Sequence, residues 1–133
     1  MLVSREVYTN GNVTTETYDD GVSGVQTLAA YRYEKEVGGV SYLGKTIQTD
    51  RETRANWIGI LINAQGNPSY TTPWKTADGS FVTYNAEQAI GAALAVSGHV
   101  QNCFLAEEAV TQDLENYTTA EQIKTAFDTA YGG

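Results

Sequence analysis

Residues 85–116 read NAEQAIGAALAVSGHVQNCFLAEEAVTQDLEN. Asn85 stands three residues before Gln88, the reciprocal capping pattern that opens a helix. Ile90, Ala93, Val96, Val100, Cys103, Phe104, Val110 and Leu114 then recur at helical spacing and make one apolar stripe. The spacing predicts a helix over about Ala86–Asn116, roughly 45 Å long at 1.5 Å per residue. Gly91, Ala95 and Gly98 fall on an adjacent strip. A glycine inside a helix costs about 1 kcal/mol against alanine, so this strip is expected to admit a second helix at close range. A helix of this length needs cover along its stripe, and the elements on either side of it must supply that cover.

Upstream, Asp78-Gly79 marks a hairpin turn. A two-residue turn there sets Thr76 opposite Phe81 and Lys75 opposite Val82, with Trp74 and Phe81 on one face and Val82 and Tyr84 on the other. Both faces would then need covering. Thr49-Asp50-Arg51-Glu52 is a capping pattern for a helix running to about Gln65, with Ala55, Ile58, Leu61 and Ile62 expected inward. Gly66-Asn67-Pro68 stops it. Val40–Tyr42 and Lys45–Thr49 flank a turn at Leu43-Gly44 that sets Val40 opposite Ile47. Residues 23–37 read as a helix with Ser23 as its cap and Gly38-Gly39 at its end. Its expected inner line is Val25, Ala29, Tyr33 and Val37 beside Leu28, with Arg32 and Glu36 four apart on the outer side. Downstream, Thr118-Thr119 with Glu121 and Gln122 caps a last helix that turns Ile123, Ala126, Phe127 and Ala130 inward.

The first twenty residues read as a further hairpin about Asn10-Gly11, with Tyr8 facing Val13, Arg5 facing Glu16 and Val3 facing Tyr18. Val3, Val7 and Tyr18 share a face. A lone two-stranded hairpin is marginal in water, so this one is expected to lean on a partner. The order is hairpin then helix, three times, then a closing helix. The expected fold is α+β: short antiparallel hairpins packed on helices, with one long central helix. Residues 1–20 form an attachment segment and residues 21–133 the domain.

Composition narrows the function. The chain has 133 residues, 16 Asp and Glu against 8 Lys and Arg, and a net charge of −8. That balance argues against nucleic acid, whose phosphates need a basic patch. Apolar residues at 41% and aromatics at 11% argue against disorder. One cysteine cannot form an internal disulfide. No apolar run is expected to reach the roughly 20 residues of a membrane span, and Met1-Leu2-Val3-Ser4-Arg5 lacks the apolar follow-on of a signal peptide. Nine Tyr against three Phe and two Trp, with few lysines, resemble a surface made for protein contact.

Constellations that could carry chemistry are thin. His99, Cys103 and Glu107 share a helical strip, but a structural zinc site would need further soft ligands, and the chain has one His and one Cys. Ser97 lies two residues from His99, the wrong offset for a nucleophile and its base on one helix. Glu107, Glu108, Asp113 and Glu115 read as a solvated helix face, where a glycosidase would need carboxylates facing across a cleft. Gly44-Lys45-Thr46 lacks the first glycine and the helix of a phosphate loop. Neither a metal, a cofactor nor an enzymatic activity is expected. Trp74 and the tyrosines remain as contact candidates.

Four stretches carry a resemblance: AAYRYEKEVGGVSYLGKTIQTDRETRANWIG, PWKTADGSFVTYNAEQAIGAALAVSGHV, QNCFLAEEA and YTTAEQIKTAFD. From about Leu28 to Asp128 the chain resembles the small uncharacterised domain found toward the C-terminal end of many bacteriophage tail-fibre and tail-fibre-assembly proteins. Asp50, Trp74, Asp78, Gly79 and His99 match its recurring positions, and the resemblance implies structural roles for them. It implies no catalytic residue. Relatives often end in a Gly-Trp-Pro-like tail, where this chain reads Tyr131-Gly132-Gly133. The implied function is a phage tail structural or accessory protein at the fibre or baseplate, made in the host cytoplasm and carried in the virion. Its partners would be other tail proteins, through Val3, Val7, Tyr8, Val13, Tyr18 and Trp74. A homo-oligomer is compatible with this reading. Two alternatives stay open: a fibre-assembly chaperone absent from the virion, and a module binding a host-surface glycan through an aromatic platform at Trp74.

Overall fold

Each helix start is set by a side chain just ahead of it. Ser23 Oγ accepts from the Gln26 amide at 3.1 Å while Gln26 Oε1 accepts from the Ser23 amide at 3.2 Å. Asn85 and Gln88 make the same reciprocal pair at 2.9 and 3.0 Å, and Thr119 and Gln122 at 3.1 and 3.3 Å. These bonds satisfy amides that a helix leaves without internal partners. At the second helix the cap sits one residue later than the Thr49–Glu52 pattern suggests. Asp50 is the cap and accepts from the Thr53 amide at 3.2 Å and the Thr53 hydroxyl at 2.6 Å. Thr49 is fully buried and turns the other way, donating to the Glu36 carbonyl at 2.7 Å and accepting from the Gly39 amide at 2.9 Å.

The computed structural model describes residues 8–9, 12–13 and 23–132. In chain order the elements are β1 Tyr8–Thr9, β2 Asn12–Val13, α1 Gly24–Glu36, β3 Val40–Tyr42, β4 Lys45–Ile47, α2 Arg51–Gly66, β5 Thr71–Lys75, β6 Phe81–Asn85, α3 Ala86–Gln112 and α4 Ala120–Gly132. A 3-10 turn over Leu114–Asn116 separates α3 from α4, so the long helix stops about a turn before the predicted Asn116. The fold is α+β, with antiparallel hairpins β1–β2, β3–β4 and β5–β6, and α3 as the long helix. Tyr8 pairs with Val13 across β1–β2, the register expected for an Asn10-Gly11 turn. The predicted pairings of Arg5 with Glu16 and Val3 with Tyr18 lie outside the described residues.

The chain divides into two compact units. Unit 1 takes the described residues up to Glu34 together with those from Asn102 onward. Its core is Leu28, Cys103, Ala106, Val110, Ile123 and Phe127. Burying Leu28, Ile123 or Phe127 contributes about 1.5–3 kcal/mol each. The Tyr31 ring stands edge-on to Phe127, with centroids 5.4 Å apart, and its hydroxyl donates to Asp128 at 2.9 Å. Arg32 lies over the Phe104 ring and pairs with Glu107 at 2.9 Å. Leu28, Tyr31 and Arg32 therefore make the inner face of α1, and the predicted line through Val25 and Tyr33 is exposed. The ring, the hydroxyl and the guanidinium all find partners on this face. Glu36 is not on an outer side either; it is almost fully buried. On α4, Ile123 and Phe127 are buried as expected and Ala130 is exposed.

Unit 2 is Lys35–Gln101. Its core gathers Ile47, Trp57, Ala64, Tyr84, Ala86, Ala89, Ala92, Ala93 and Val96, with Tyr42, Leu61, Trp74, Val82 and Ile90 packed against it. The β3–β4 hairpin has the predicted register, Val40 opposite Ile47. Its two-residue turn puts Leu43 at φ 50° and Gly44 at φ 81°, as a type I′ turn requires. The β5–β6 register departs from the prediction by one residue: Lys75 pairs with Phe81 and Trp74 with Val82. Only Gly79 of the turn has positive φ, at 90°. A three-residue loop, Ala77-Asp78-Gly79, is closed by Thr76 N–H to Ser80 O at 2.8 Å. A slip of one residue moves side chains to opposite faces. Trp74, Val82 and Tyr84 thus share the inner face, while Phe81 is 69% exposed.

In α2 the buried face is Trp57 and Ala64 with Leu61 beside them, not Ala55, Ile58 and Ile62. On α3 the expected close approach comes from a hairpin residue. A Cβ at Gly91 would overlap the Tyr42 hydroxyl, which donates to the Gln88 carbonyl at 2.9 Å. Gly98 has open space around it. By length and composition α3 is apolar enough to cross a membrane, contrary to the sequence expectation. Along it Ala89, Ala92, Ala93, Val96, Cys103, Ala106 and Val110 are buried within the two cores.

Candidate interaction surface

Unit 2 holds five cationic side chains (Lys35, Lys45, Arg51, Arg54, Lys75) and five anionic ones (Glu36, Asp50, Glu52, Asp78, Glu87), and is formally neutral. Its charges are concentrated away from two stretches. Neither Ala55–Gly66 of α2 nor Gln88–Gln101 of α3 contains an Asp, Glu, Lys or Arg. Between these two helices runs an open apolar groove of about 410 Å³. Trp57, Ala93 and Val96 form its buried floor, and Ile58, Leu61, Leu94 and Val100 its walls. Arg54, Ser97 and Gln101 supply its polar margin. Ile58 is 62% exposed, Leu94 59%, and Ile62, one turn along from Ile58, 64%. Isolated exposed aliphatics are ordinary, but a contiguous apolar patch marks a contact surface.

The groove is set on rigid supports. Arg54 Nη2 donates to Glu36 Oε2 at 2.7 Å, and that carboxylate is almost completely buried. A buried charge left without its partner costs several kcal/mol, so this pair fixes the first turns of α2. Trp57 packs on Trp74 with centroids 4.5 Å apart and lies 6.3 Å from the Tyr84 ring. Tyr84 in turn meets Tyr42 edge-on at 5.7 Å. Burial pushes the phenol pKa values of Tyr42 and Tyr84 up. The β5–β6 loop is tied by Asp78, which accepts from Ser80 N–H at 2.9 Å, Ser80 Oγ at 2.7 Å and Thr76 Oγ1 at 2.7 Å. Lys45 Nζ reaches the same carboxylate at 3.2 Å. The Ser80 bonds, with those from Thr76 and Lys45, hold the Asp78 carboxyl well below the usual carboxylate range.

The residues weighed above for chemistry and set aside have other occupations. His99 Nε2 donates to the Lys35 carbonyl at 2.9 Å, satisfying a last-turn carbonyl of α1. Cys103 is fully buried in the unit 1 core. Glu107 is paired with Arg32, while Glu108, Asp113 and Glu115 are exposed. Among the described residues no group of three His, Cys, Asp or Glu side chains could hold a metal ion.

Of the predicted contact residues, Val3, Val7 and Tyr18 lie outside the described residues, and for Tyr8 and Val13 the backbone pairing alone is described. Trp74 is half-buried against Trp57, within the packing around the unit 2 core. The groove brings together residues that the sequence reading placed inside or did not single out: Ile58, Leu94 and Val100, with Ile62 alongside. The available signal is the breadth of the apolar surface on α2. Trp57, Leu61 and Ala64 make one stripe and Ala55, Ile58 and Ile62 a second, more than one buried face requires.

The chain belongs to the family described as Domain of unknown function (DUF4376), which matches residues 25–130. No curated protein and no solved structure matches it.

Proposed function

We propose that this chain is a bacteriophage tail structural or accessory protein that works by protein–protein contact at the tail fibre or baseplate. The observation that carries the contact role is the largely apolar α2–α3 groove with Ile58 and Leu94 standing exposed on its walls. The phage assignment draws on the resemblance of the stretches within Leu28–Asp128 to the tail-fibre-associated domain. The first hairpin is the second contact element: it docks the chain to a larger tail component by strand pairing and tyrosine contact. The packing of Trp74 on Trp57, which leaves it half-buried, favours protein contact over a sugar-stacking platform.

Mass spectrometry of purified virions tests the reading. The chain is expected among the tail proteins, and cross-linking should join it to a fibre or baseplate component. Its presence in infected cells but absence from finished particles would replace the structural role with that of an assembly chaperone. Deleting residues 1–20 should abolish incorporation while circular dichroism still reports a folded chain. Unchanged incorporation would refute the docking role of the hairpin.

A further inference from the structure

We propose that two copies of this chain pair through the α2–α3 groove of unit 2, each placing its Ile58–Ile62 ridge in the groove of the other. The inference rests on reading that groove as a protein-contact surface, and it names the occupant.

Two observations favour a second copy. The first is charge. The chain as a whole carries −8, which would oppose self-association if spread over the contact. Lys35–Gln101 is instead neutral, and both groove helices lack charged residues along the stretches that line it beyond Arg54. Arg54 is itself neutralised by Glu36 at 2.7 Å. Identical surfaces can therefore meet without like charges facing each other, while a charged partner would find no complementary charge to read.

The second observation is shape. A twofold interface must carry both the projection and the recess that receives it. Here the same surface has both. Ile58 and Ile62 project four residues apart, the spacing of the ridge that interdigitates in helix packing, and the recess beside them holds about 410 Å³.

Sedimentation velocity on the full chain, from about 1 µM to about 1 mM, reads the result directly. A concentration-dependent monomer–dimer equilibrium is expected. Each glutamate placed on the ridge should weaken it at least about tenfold, so the Ile58→Glu, Ile62→Glu double variant should raise the dissociation constant by about 100-fold or more. Ser97→Arg, which fills the groove from the α3 side, should weaken pairing without touching the ridge. Phe81→Glu removes an equally exposed hydrophobe on β6, outside the groove, and should leave the dimer unchanged. Circular dichroism on each variant reports that the exposed substitutions keep the fold. A chain that stays monomeric throughout overturns the inference, as does a dimer indifferent to the ridge and groove variants or equally weakened by Phe81→Glu. A monomer would leave the contact role standing for a different protein; absence from virions would remove the tail role and leave the dimer intact.

Discussion

Gly91 and Tyr42 show how one hydrogen atom in place of a methyl can fix the packing of a hairpin. The Tyr42 hydroxyl lies where a Gly91 side chain would begin and donates to the Gln88 carbonyl. Burial raises the phenol pKa, which keeps that donor protonated. On helix propensity alone Gly91→Ala would stabilise by about 1 kcal/mol. Overpacking a filled site costs about 1–3 kcal/mol, and here the steric term should win. Urea unfolding should show net destabilisation, and adding Tyr42→Phe should recover part of it by removing the overlapping oxygen. A stabilised Gly91→Ala variant would mean that the approach is looser than the geometry indicates. The sequence already marks Gly91 as needing a packing reason; the identity of its neighbour is invisible there, because Tyr42 is far away in the chain.

At the scale of elements, local chemistry was legible and the choice of face was not. The caps at Ser23, Asn85 and Thr119 and the Leu43-Gly44 turn depend on residues within four positions of each other, so the chain spells them out. Asp78-Gly79 announces a turn but does not distinguish a two-residue loop from a three-residue one. Asp78 decides the matter by binding Ser80 and Thr76, and with the register it decides which side of the hairpin faces the core. The inward face of α2 was ambiguous because two apolar stripes compete, and only the tertiary partners Trp74 and Tyr84 select the one containing Trp57. The Asp78 loop carries a pH signature. Its folded pKa lies below the unfolded value near 3.9. Such a group contributes its stabilisation above the unfolded pKa and loses it as pH falls through the folded one. In urea unfolding between about pH 6 and pH 2, wild type should be more stable than Asp78→Asn, with the difference constant above about pH 5 and narrowing below it. A difference that widens on acidification would contradict the assignment.

At the scale of the whole molecule, two cores share one chain without sharing residues. Phe127→Ala removes a ring that is almost fully buried in unit 1 and should cost about 3–5 kcal/mol. Hydrogen exchange should then quicken first in α4 and around Leu28, before the amides of β5 and β6. Simultaneous and equal loss of protection would show that the cores open as one. The charge is also divided: unit 2 is neutral, so the excess acidity of the chain belongs to the segments outside Lys35–Gln101. The His99–Lys35 bond has a topological meaning. Unit 2 is continuous in sequence, whereas unit 1 is assembled from segments on both sides of it. Lys35 is the first residue of unit 2 and His99 is two residues from its last, and one 2.9 Å hydrogen bond joins them. The backbone enters unit 2 within α1 and leaves it within α3, through points that this bond holds together. The stretch from Lys35 to His99 is thus closed at its base by that bond, and its two ends are helical segments held together rather than free loop termini.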